Sequence, residues 1–489
     1  MVKKGTGIVW FKQTDMRIKD HMPLHKAHTE CEKVDHLYVF DPRNYRDTKR
    51  GNLKTNMRRL KFQIDCLNDV CNSLQNAGCS MTILLGEPET VIPDFAKSRM
   101  MPEETQIYCF DDVGHEETKI IAALQKTLKP SGMTVNTSFG GSTLFDLSDL
   151  PYPVDQLNGF TEFRKSVERP AVFSKMKKPI PVCSTYMPSF STPAAASTTA
   201  GSSLRLLSYP VNDVAELWSI MRNWYGPVAE VSKTSGGAVA KDLSTVIDAR
   251  SVMDFHGGET AAWSRIDHYI VQGVGRLSKY KETRNGMVGA DYSSKLSPYL
   301  ATGAISARSI YTEIKKFEAK SGISNENTYW LVFELLWRDF MRFYGYKYGI
   351  KLFHLGGVQG EAGRKRYPWR NDPKMLDAWR TGNTGYPFID GNSIHTVVYA
   401  SLLMCASPYA LFDCESPHLN PYNIPHMTNF PANMRELARS GFMSNRGRQI
   451  VASFLVRDMG QDWRQGAEHF EANLLDHDVT SNWGKLHFQ

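Results

Sequence analysis

A short run of small hydroxyl residues carries the clearest chemical signal in the sequence. Ser293, Ser294 and Ser297 surround a lysine in the run SSKLS, which leads into a segment with helical spacing. Hydroxyl groups, backbone N–H groups and the start of a helix together favour the binding of a phosphate group. The same residues also suit an ordinary helix N-cap, and the run alone does not separate the two interpretations.

Arginines are concentrated near the end of the chain. Six of them and no lysine lie between residues 433 and 470, namely Arg435, Arg439, Arg446, Arg448, Arg457 and Arg464. Because arginine forms paired hydrogen bonds with phosphates, this bias predicts a surface that contacts nucleic acid. Internal ion pairs with Glu436, Asp458 and Asp462 are the alternative interpretation.

The first 130 residues, which must position part of this chemistry, alternate between short apolar runs and helical patterns. The runs GIVWF, DHLYVF, MTILLG and QIYCF are rich in β-branched and aromatic residues, and residues 54–77 between two of them have helical spacing. This alternation predicts a parallel sheet covered by helices, with ligands bound at the carboxyl ends of the strands.

Beyond residue 256 the pattern is helical only. Apolar side chains recur at helical spacing in 260–272, 306–320, 327–348, 373–380, 433–440 and 445–459. This part also holds seven of the ten tryptophans, which are normally buried in a core or an interface. We therefore predict an α/β N-terminal domain with a parallel, Rossmann-like sheet over residues 1–150 and an all-helical C-terminal domain over residues 256–489.

A connector over residues 151–255 is predicted between these domains. Within it, residues 184–203 carry no charge, and 17 of the 20 are Ser, Thr, Ala, Gly or Pro. This composition predicts a flexible surface linker.

Composition and charge exclude several classes of protein. The 489 residues are 42% hydrophobic and 11% aromatic, which excludes a mainly disordered chain. No run of about 18 apolar residues is present, so no membrane-spanning helix is expected. The net charge of +7 allows a polyanionic partner. Eight cysteines without a CxxC pair predict a reduced, intracellular protein without a metal site, and the start MVKKGTGIVWF predicts no targeting peptide.

Many ordered motifs resemble the photolyase/cryptochrome family, and in particular its cryptochrome-DASH subtype. They are GIVWFKQTDMRIKD, VFDPR, FTEFRKSVE, YKETRNGMVGADYSSKLSPYLATG, TYWLVFELLWRDFMRF, TGYP, MRELARSGFMSNRGRQ and DWRQGAEHFE. The resemblance implies an α/β antenna domain followed by a helical domain that holds FAD in a U shape.

The resemblance assigns roles to individual positions of this chain. The positions that match FAD contacts are Tyr280, Ser293, Ser294, Leu296, Ser297, Arg338, Asp476, Asp478 and Asn482. The positions that match the walls of the cavity in which a damaged base meets the flavin are Glu334, Trp337, Asn445, Arg446 and Gln449. Among these, Trp337, Arg446 and Gln449 are expected to contact DNA.

The implied reaction gives three of these side chains a chemical task. A lesion must leave the base stack to reach the flavin, and Trp337 offers it a stacking face. Glu334, kept protonated in an apolar cavity, is expected to donate a hydrogen bond to the radical anion of the lesion. Asn482 is expected to hydrogen-bond the flavin ring and to tune its redox state. An ordinary helix salt bridge for Glu334 and a helix cap for Asn482 are the alternatives.

The resemblance also implies a light-harvesting group in the first domain. Glu116 matches the carboxylate that holds a folate antenna (methenyltetrahydrofolate), although its neighbour Glu117 could be the matching residue instead.

A chain of three tryptophans that brings electrons from the surface to the flavin is implied only in part. Trp379 and Trp463 match its outer and middle members. Leu486 stands at the position of the inner member, and a leucine cannot carry an electron hole. Trp483 is a separate residue that matches none of the three tryptophans of this electron relay.

Two places depart from the family pattern. TGYPFID should pass directly into ANMREL, but residues 391–431 intervene and contain no Lys or Arg. The sequence also ends at SNWGKLHFQ, before the closing helices that the family has. We expect both features to be non-coding sequence read through in the gene model.

The resemblance implies FAD-dependent, light-driven repair of cyclobutane pyrimidine dimers in single-stranded DNA, by a monomer that is not attached to a membrane. A blue-light photoreceptor flavoprotein that binds nucleic acid without repairing it is the alternative from another class. A defective product that does not hold FAD stably is the second alternative.

Overall fold

The structure is a computed structural model. It describes residues 5–139, 141–190, 204–226, 251, 253–287, 289–365, 369–390 and 433–488. The segment 391–431, for which we expect a non-coding origin, and residues 191–203 of the predicted linker lie outside the described residues.

One six-stranded sheet forms the centre of the N-terminal part. Its strands are β1 (Thr6–Phe11), β2 (Lys33–Phe40), β3 (Met81–Leu85), β4 (Gln106–Phe110), β5 (Thr134–Ser138) and β6 (Arg205–Leu207). Their order across the sheet is β5-β4-β1-β2-β3-β6. All neighbours are parallel except β3 and β6, with Ile8 of β1 opposite Asp35 of β2. The predicted parallel sheet is therefore confirmed.

Helices cover both faces of this sheet. They are α1 (Met22–Glu30), α2 (Met57–Asn76), α3 (Pro88–Ser98) and α4 (His115–Leu128). Three further helices follow along the chain and pack on other helices: α5 (Phe160–Val167), α6 (Pro170–Phe173) and α7 (Val214–Arg222). Because strand side chains alternate between faces, Val9 and Phe11 pack in one core cluster, whereas Ile8 and Trp10 pack in another. Helix α2 begins later than the predicted residue 54, because the side chain of Asn56 caps it.

The two outer strands were not predicted. β5 has the sequence TVNTS, which lacks an apolar run, and β6 is only three residues long. β6 comes from the predicted connector, so part of that segment belongs to the sheet.

The start of the predicted linker, residues 184–190, is packed against the α/β part of the chain. The N–H of Met187 donates to His28 Nδ1 at 2.9 Å, and the N–H of Phe190 donates to Asp35 Oδ1 at 2.9 Å. The prediction of a flexible linker is therefore wrong for this stretch, because its backbone amides find acceptors on α1 and β2.

The second half of the described chain is helical, as predicted. Its helices are α8 (Glu259–Ile266), α9 (Tyr280–Thr283), α10 (Ser297–Ala301), α11 (Ala307–Ser321), α12 (Glu326–Tyr348), α13 (Glu361–Lys365), α14 (Pro373–Thr381), α15 (Pro387–Asp390), α16 (Asn433–Ser440), α17 (Asn445–Ser453), α18 (Trp463–Asn473) and α19 (Val479–Phe488). α8 and α17 each continue into a π-helical turn, over Asp267–Val271 and Phe454–Asp458. Within the described ranges, none of these helices combines the length and apolar character needed to cross a membrane.

The α/β part and the helical part meet through buried polar contacts. The carboxylate of Asp339 on α12 accepts hydrogen bonds from the N–H groups of Leu144 at 2.9 Å and Phe145 at 3.1 Å. Gly303 has a φ of +67°, and a Cβ there would lie 1.9 Å from the backbone oxygen of Thr14. Glycine is therefore required at this close approach between the two parts.

Candidate functional site

The hydroxyl run before α10 is held by an arginine of α8. Arg265 Nε donates to the carbonyl oxygen of Ser294 at 2.8 Å, and its Nη2 donates to that of Ser293 at 3.2 Å. Leu296 is buried in the main core, and Ser297 is the first residue of α10. Because its carbonyl groups point at Arg265, the segment has a fixed backbone.

Asp291 orients the groups around this segment. Its carboxylate lies 3.0 Å from Arg265 Nη1, 3.0 Å from Arg276 Nε and 3.0 Å from His268 Nε2. Partial burial raises the pKa of Asp291, but the hydrogen bonds from His268 and Arg276 outweigh this effect and bring it to about 2. Asp291 therefore acts as the charged anchor of the run.

Lys295 is a buried lysine inside the run. It has a φ of +55° and is 2% exposed, and its Nζ lies 3.3 Å from Ser293 Oγ and 3.0 Å from the ring centroid of Tyr292. Burial lowers the pKa of Lys295 to about 6, although the charge of Glu436 acts in the opposite direction. Burial likewise raises the pKa of Glu436 to about 7. An anion beside Lys295 would restore its charged form.

Glu334 forms an ion pair on the exposed side of α12. Its Oε1 accepts a hydrogen bond from Arg284 Nη1 at 2.6 Å, and its side chain is 30% exposed. Tyr280 is buried nearby, and burial together with the charge of Glu334 raises the pKa of Tyr280 well above its ordinary value. An arginine thus lies within hydrogen-bond distance of the carboxyl group that was expected in an apolar cavity. The helix salt bridge, which was the alternative interpretation, is observed.

Trp337 is half-buried on the same helix and is stacked on a phenylalanine. Its ring lies 3.6 Å from that of Phe160, centroid to centroid, at an interplanar angle of 13°. One face of the indole is therefore already covered by α5, and a base could use only the other face.

The last helix of the described chain is tied to α12 by one carboxylate. Asp478 Oδ2 lies 4.0 Å from Arg338 Nη2 and 3.8 Å from Arg342 Nη1. Burial raises the pKa of Asp478, but the charges of both arginines outweigh burial and hold it well below its usual range. Asn482, one turn later, donates its side-chain N–H to the carbonyl oxygen of Ala467 at 2.9 Å. Its side chain therefore anchors α19 to α18.

The start of α17 presents polar side chains to the surface. Asn445 and Gln449, one turn apart, are both exposed, and Arg446 between them is half-buried. Across the described ranges, Arg446 makes no ion pair. This side chain is therefore suited to reach an external anion.

Other arginines of the predicted nucleic-acid surface have internal partners. Arg448 Nη2 donates to both oxygens of Asp476, at 2.9 and 2.8 Å, and Arg464 Nη2 donates to Asp462 Oδ2 at 2.7 Å. Arg435 donates to the carbonyl oxygen of Gly382 at 2.9 Å. The expected internal ion pair with Asp462 is therefore observed for Arg464, whereas Arg448 pairs with Asp476, which was not among the expected partners, and Arg435 donates to a backbone carbonyl oxygen.

Contacts join these groups into one region. The charged ends of Lys295 and Arg448 both lie over the ring of Phe442, at 5.0 and 5.5 Å from its centroid. Arg448 also holds Asp476, and Asp478, two residues later, contacts α12 through Arg338. These contacts link the hydroxyl run, the start of α17 and α12 into one region.

The tryptophans assigned to electron transfer lie in the second core cluster. Trp379 is 0% exposed and donates its indole N–H to the carbonyl oxygen of Val451 at 2.9 Å. It is therefore not at the surface, as the outer member of a relay would be, because α17 and α18 cover it. Trp463 is 2% exposed and donates to the carbonyl oxygen of Leu355 at 2.9 Å. Nothing is described of the side chain of Leu486.

The two candidate antenna carboxylates differ in their surroundings. Glu116 is exposed and paired with Lys54, whose charge outweighs the effect of burial and lowers the pKa of Glu116. Glu117 is half-buried and lies against Gly114 at the start of α4, and burial raises the pKa of Glu117 to about 7.

Sequence models of two domains match the chain. Residues 7–184 match the DNA photolyase model, and residues 429–489 match the model of the FAD binding domain of DNA photolyase. Together with the parallel sheet and the helical part, these two matches define a photolyase-type flavoprotein.

Curated relatives show which subtype of photolyase-type protein this chain is similar to. The chain is 37% identical to Cryptochrome DASH of Synechocystis sp. over 484 residues, covering 99% of this chain and 80% of that protein. It is 36% identical to "Cryptochrome DASH, chloroplastic/mitochondrial" of Solanum lycopersicum, covering 98% of this chain and 70% of that protein. It is 34% identical to Cryptochrome DASH of Xenopus laevis, covering 98% of this chain and 75% of that protein. The chain belongs to the photolyase/cryptochrome family, in its cryptochrome-DASH subtype.

Solved structures agree with this assignment. The crystal structure of the Synechocystis cryptochrome matches with a TM-score of 0.75 at 36% identity, covering 100% of this chain and 82% of that one. The crystal structure of a class III photolyase from Agrobacterium tumefaciens matches with a TM-score of 0.67 at 22% identity, covering 100% of this chain and 80% of that one. This second likeness supports the fold alone.

The residues beside Lys295 fit the FAD that the family implies. Tyr292 Oη and Glu436 Oε1, both beside Lys295, are buried without a hydrogen-bond partner within the described part of the chain. Unsatisfied polar atoms next to a buried cation and hydroxyl groups suit a polar, phosphate-bearing ligand.

Several residues that shape this site carried no role in the sequence interpretation. Arg284, Asp291 and Lys295 all lie inside the motif YKETRNGMVGADYSSKLSPYLATG, but only Tyr280, Leu296 and the three serines of its SSKLS run were assigned. Arg265 lies outside it, and no local pattern relates it to a loop 28 residues away.

Proposed function

We propose that the protein uses FAD to repair cyclobutane pyrimidine dimers in single-stranded DNA with light. The observation that supports this most is the chain of contacts from Lys295 through Phe442 and Arg448 to Asp476. It brings a lysine and hydroxyl groups into one region with α12, the helix on which Glu334 pairs with Arg284. That arrangement suits a dinucleotide cofactor beside a polar ligand.

The residues of this chain bind and orient the reactants in the proposed reaction. FAD supplies the light-excited electron when bound. Ser293, Ser294 and Lys295 hold its diphosphate, and Asp476, Asp478 and Asn482 line the remainder, with Arg338 fixed by Asp478. Hydrogen-bond donors placed where negative charge develops lower the barrier of such a reaction.

The ion pair on α12 changes the expected division of roles. A carboxylate bonded to an arginine is a poor hydrogen-bond donor, so Arg284 is the group that stabilises negative charge on the lesion. Glu334 orients the guanidinium of Arg284, and Trp337 offers its remaining face to a flipped base.

DNA contact is proposed at the start of α17. Asn445 and Gln449 are exposed there, and Arg446 lies between them. Phosphate contacts by arginine supply affinity without sequence preference, which suits lesion search along a single strand. The protein is proposed to act as a monomer.

A folate antenna is proposed at the start of α4. Glu117 is the better candidate to bind it, because its carboxyl is turned inward and its pKa is raised to about 7 by burial. Glu116 is already paired with Lys54 at the surface.

A blue-light receptor that binds nucleic acid without repair is the second candidate function. The stacking of Trp337 on Phe160 at 3.6 Å favours it, because one face of the proposed base platform is used internally. The repair experiment distinguishes the two functions.

The test is repair of a single-stranded oligonucleotide that contains one thymine dimer, under blue light with chemically reduced flavin. We expect the unmodified protein to restore the thymines only in the light. Arg284→Gln should slow repair by about 100-fold, and Glu334→Gln by about tenfold, because one removes the charge and the other loosens its position.

Glu313→Gln is the matched control for this experiment. Glu313 is paired with Lys316 on the neighbouring helix α11, so its loss should leave repair unchanged. Tight DNA binding without any light-dependent repair by the unmodified protein would reject repair in favour of the receptor. Equal rates for Arg284→Gln and the unmodified protein would reject the role of Arg284.

A further inference from the structure

Helices α5 and α6 and the residues after them carry a concentration of positive charge. Residues 163–190 contain six Lys or Arg and one acidic residue, Glu168, so their net charge is +5 in a chain whose net charge is +7. A local excess of this size raises the concentration of anions at the surface that carries it.

Four of these cations are available to an external anion. All four are exposed and make no ion pair across the residues that the structure describes: Lys165, Arg169, Lys175 and Lys178. The nearby acids already have partners, since Glu168 Oε2 lies 3.8 Å from Arg164 Nε and Asp146 pairs with Lys177. We call the four cations together the α5–α6 surface.

The backbone under the α5–α6 surface is held at several points. Phe163 of α5 is 0% exposed, and the ring of Phe173 on α6 lies 5.8 Å from that of Tyr311 on α11, centroid to centroid. Beyond the last of the four cations, the N–H of Ile180 donates to Asp20 Oδ1 at 2.9 Å. A surface fixed in this way loses little backbone freedom when a ligand binds, so its charges contribute more fully to affinity.

Aromatic rings lie beside the cations. Phe173 and Tyr311 are half-buried, and Lys315 Nζ lies 5.5 Å from the ring centroid of Tyr311. Partly open rings next to cations are typical of surfaces that bind single-stranded nucleic acid, because bases stack while the cations contact phosphates. Between residues 160 and 180, all of them described, no large apolar side chain is exposed, which disfavours a membrane as the partner.

The start of α5 contacts the proposed base platform. Phe160, its first residue, stacks on Trp337 with 3.6 Å between the ring centroids. Lys165 and Arg169 lie further along the same direction of the chain, and an eight-residue helix such as α5 is about 12 Å long. A strand that leaves Trp337 along α5 therefore meets the cations within a few nucleotides.

We propose that the α5–α6 surface binds the phosphate backbone of single-stranded DNA beyond the Trp337 platform, as a contact separate from the start of α17. This inference rests on the proposed function and deepens it, because it gives the path of the strand next to the lesion. Arg169 suits paired hydrogen bonds with a phosphate, and the three lysines act as point charges along the strand.

The experiment measures the binding of undamaged, fluorescently labelled oligothymidylate to the FAD-loaded protein at several salt concentrations. The variant combines Lys165→Gln, Arg169→Gln, Lys175→Gln and Lys178→Gln. For a strand of about 24 nucleotides, we expect binding to weaken by about tenfold or more. The slope of log affinity against log salt should become shallower by about 2 to 3, since each lost phosphate contact on a single strand removes about 0.7.

Repair kinetics give a second measurement. For a thymine dimer in a strand of about 24 nucleotides, the variant should raise KM by about tenfold and leave kcat unchanged, because only the flanking strand is held less tightly. For a dimer in a strand of about five nucleotides, which is too short to reach the cations, both constants should stay as in the unmodified protein.

The matched control removes the same amount of charge from α3 and α4. It combines four exposed lysines that make no ion pair within the described chain: Lys97→Gln, Lys119→Gln, Lys126→Gln and Lys129→Gln. Its binding should stay within about twofold of the unmodified protein, with the same salt slope. Far-ultraviolet circular dichroism checks the folding of both variants.

Three results would overturn the inference. Equal weakening by both sets of substitutions would show that net charge alone matters. Unchanged binding by the α5–α6 variant would show that the strand lies elsewhere. Binding to vesicles of phosphatidylcholine and phosphatidylserine in preference to the oligothymidylate would assign the surface to a membrane.

Failure of this inference is separable from failure of the proposed function. If the α5–α6 variant binds the long undamaged strand more weakly but the unmodified protein repairs no dimer in the light, repair fails and the inference holds. If repair proceeds and the variant binds the long strand as tightly as the unmodified protein, only the inference fails.

Discussion

Lys295 shows how one side chain can conflict with folding and yet suit a ligand. It is 2% exposed, and burial lowers its pKa from 10.5 to about 6. The unfolded chain therefore binds more protons than the folded one between these pH values. The unfavourable contribution of Lys295 to stability is full below about pH 6 and decreases as the pH rises towards 10.5.

Lys295→Met should stabilise the flavin-free protein at pH 7 by up to about 5 kcal/mol, since keeping a lysine with an ordinary pKa of 10.5 deprotonated at pH 7 costs about that much. The gain should shrink as the pH approaches 10. The same variant should retain less flavin, because the cation beside the phosphate segment is lost. Denaturant unfolding with and without FAD measures both effects.

Lys320→Met is the control for this substitution, because Lys320 is exposed at the end of α11. It should change neither stability nor flavin retention. If Lys295→Met destabilised the flavin-free protein at pH 7 as well, Lys295 would be a structural residue and not a phosphate ligand.

At the residue scale, the sequence predicted which residues belong to the site better than which side chains they contact. The sequence singled out Glu334 but not its partner Arg284, which is 50 positions away in the chain. A side chain's partner across such a separation is set by the packing of α9 on α12, which no local pattern encodes.

At the scale of elements, hydrophobic periodicity predicted the long helices whose apolar faces pack in the core. α12 and α11 match the predicted spans almost completely, because an apolar stripe at helical spacing needs a core to cover it. β5 and β6 were missed because edge strands do not need a continuous apolar run, and residues 184–190 are held by backbone hydrogen bonds that composition cannot show.

The junction of α12 with the loop before α5 should depend on one carboxylate. Asp339→Ala removes the acceptor of the Leu144 and Phe145 N–H groups, both of which are buried. We expect a loss of about 3 kcal/mol in the free energy of unfolding, because two buried donors remain unsatisfied. Urea denaturation measures it.

Glu162→Ala, at an exposed position of α5, is the comparison for Asp339→Ala and should stay within about 0.5 kcal/mol of the unmodified protein. Asp339→Asn, which keeps one acceptor oxygen, should lie between the two. A loss below about 1 kcal/mol for Asp339→Ala would show that the junction is held by other contacts.

At the scale of the whole molecule, the α/β part and the helical part have separate tasks in the proposed function. The α/β part offers Glu117 for an antenna, and the helical part offers the hydroxyl run and Lys295 for the flavin. The sequence predicted this division because the change from alternating strands to helices is visible in the hydrophobic pattern. It could not predict the contacts of Asp339 and Gly303 that fix the two parts together.

The most direct measurement is the absorption spectrum of the purified protein, recorded before and after blue illumination with a thiol present. We predict flavin bands that remain with the protein through gel filtration, bleach in the light and are released by denaturation, with folate absorption added if the antenna binds. A protein that shows no flavin absorption even after incubation with excess FAD, while its circular dichroism is that of a folded chain, would contradict the account.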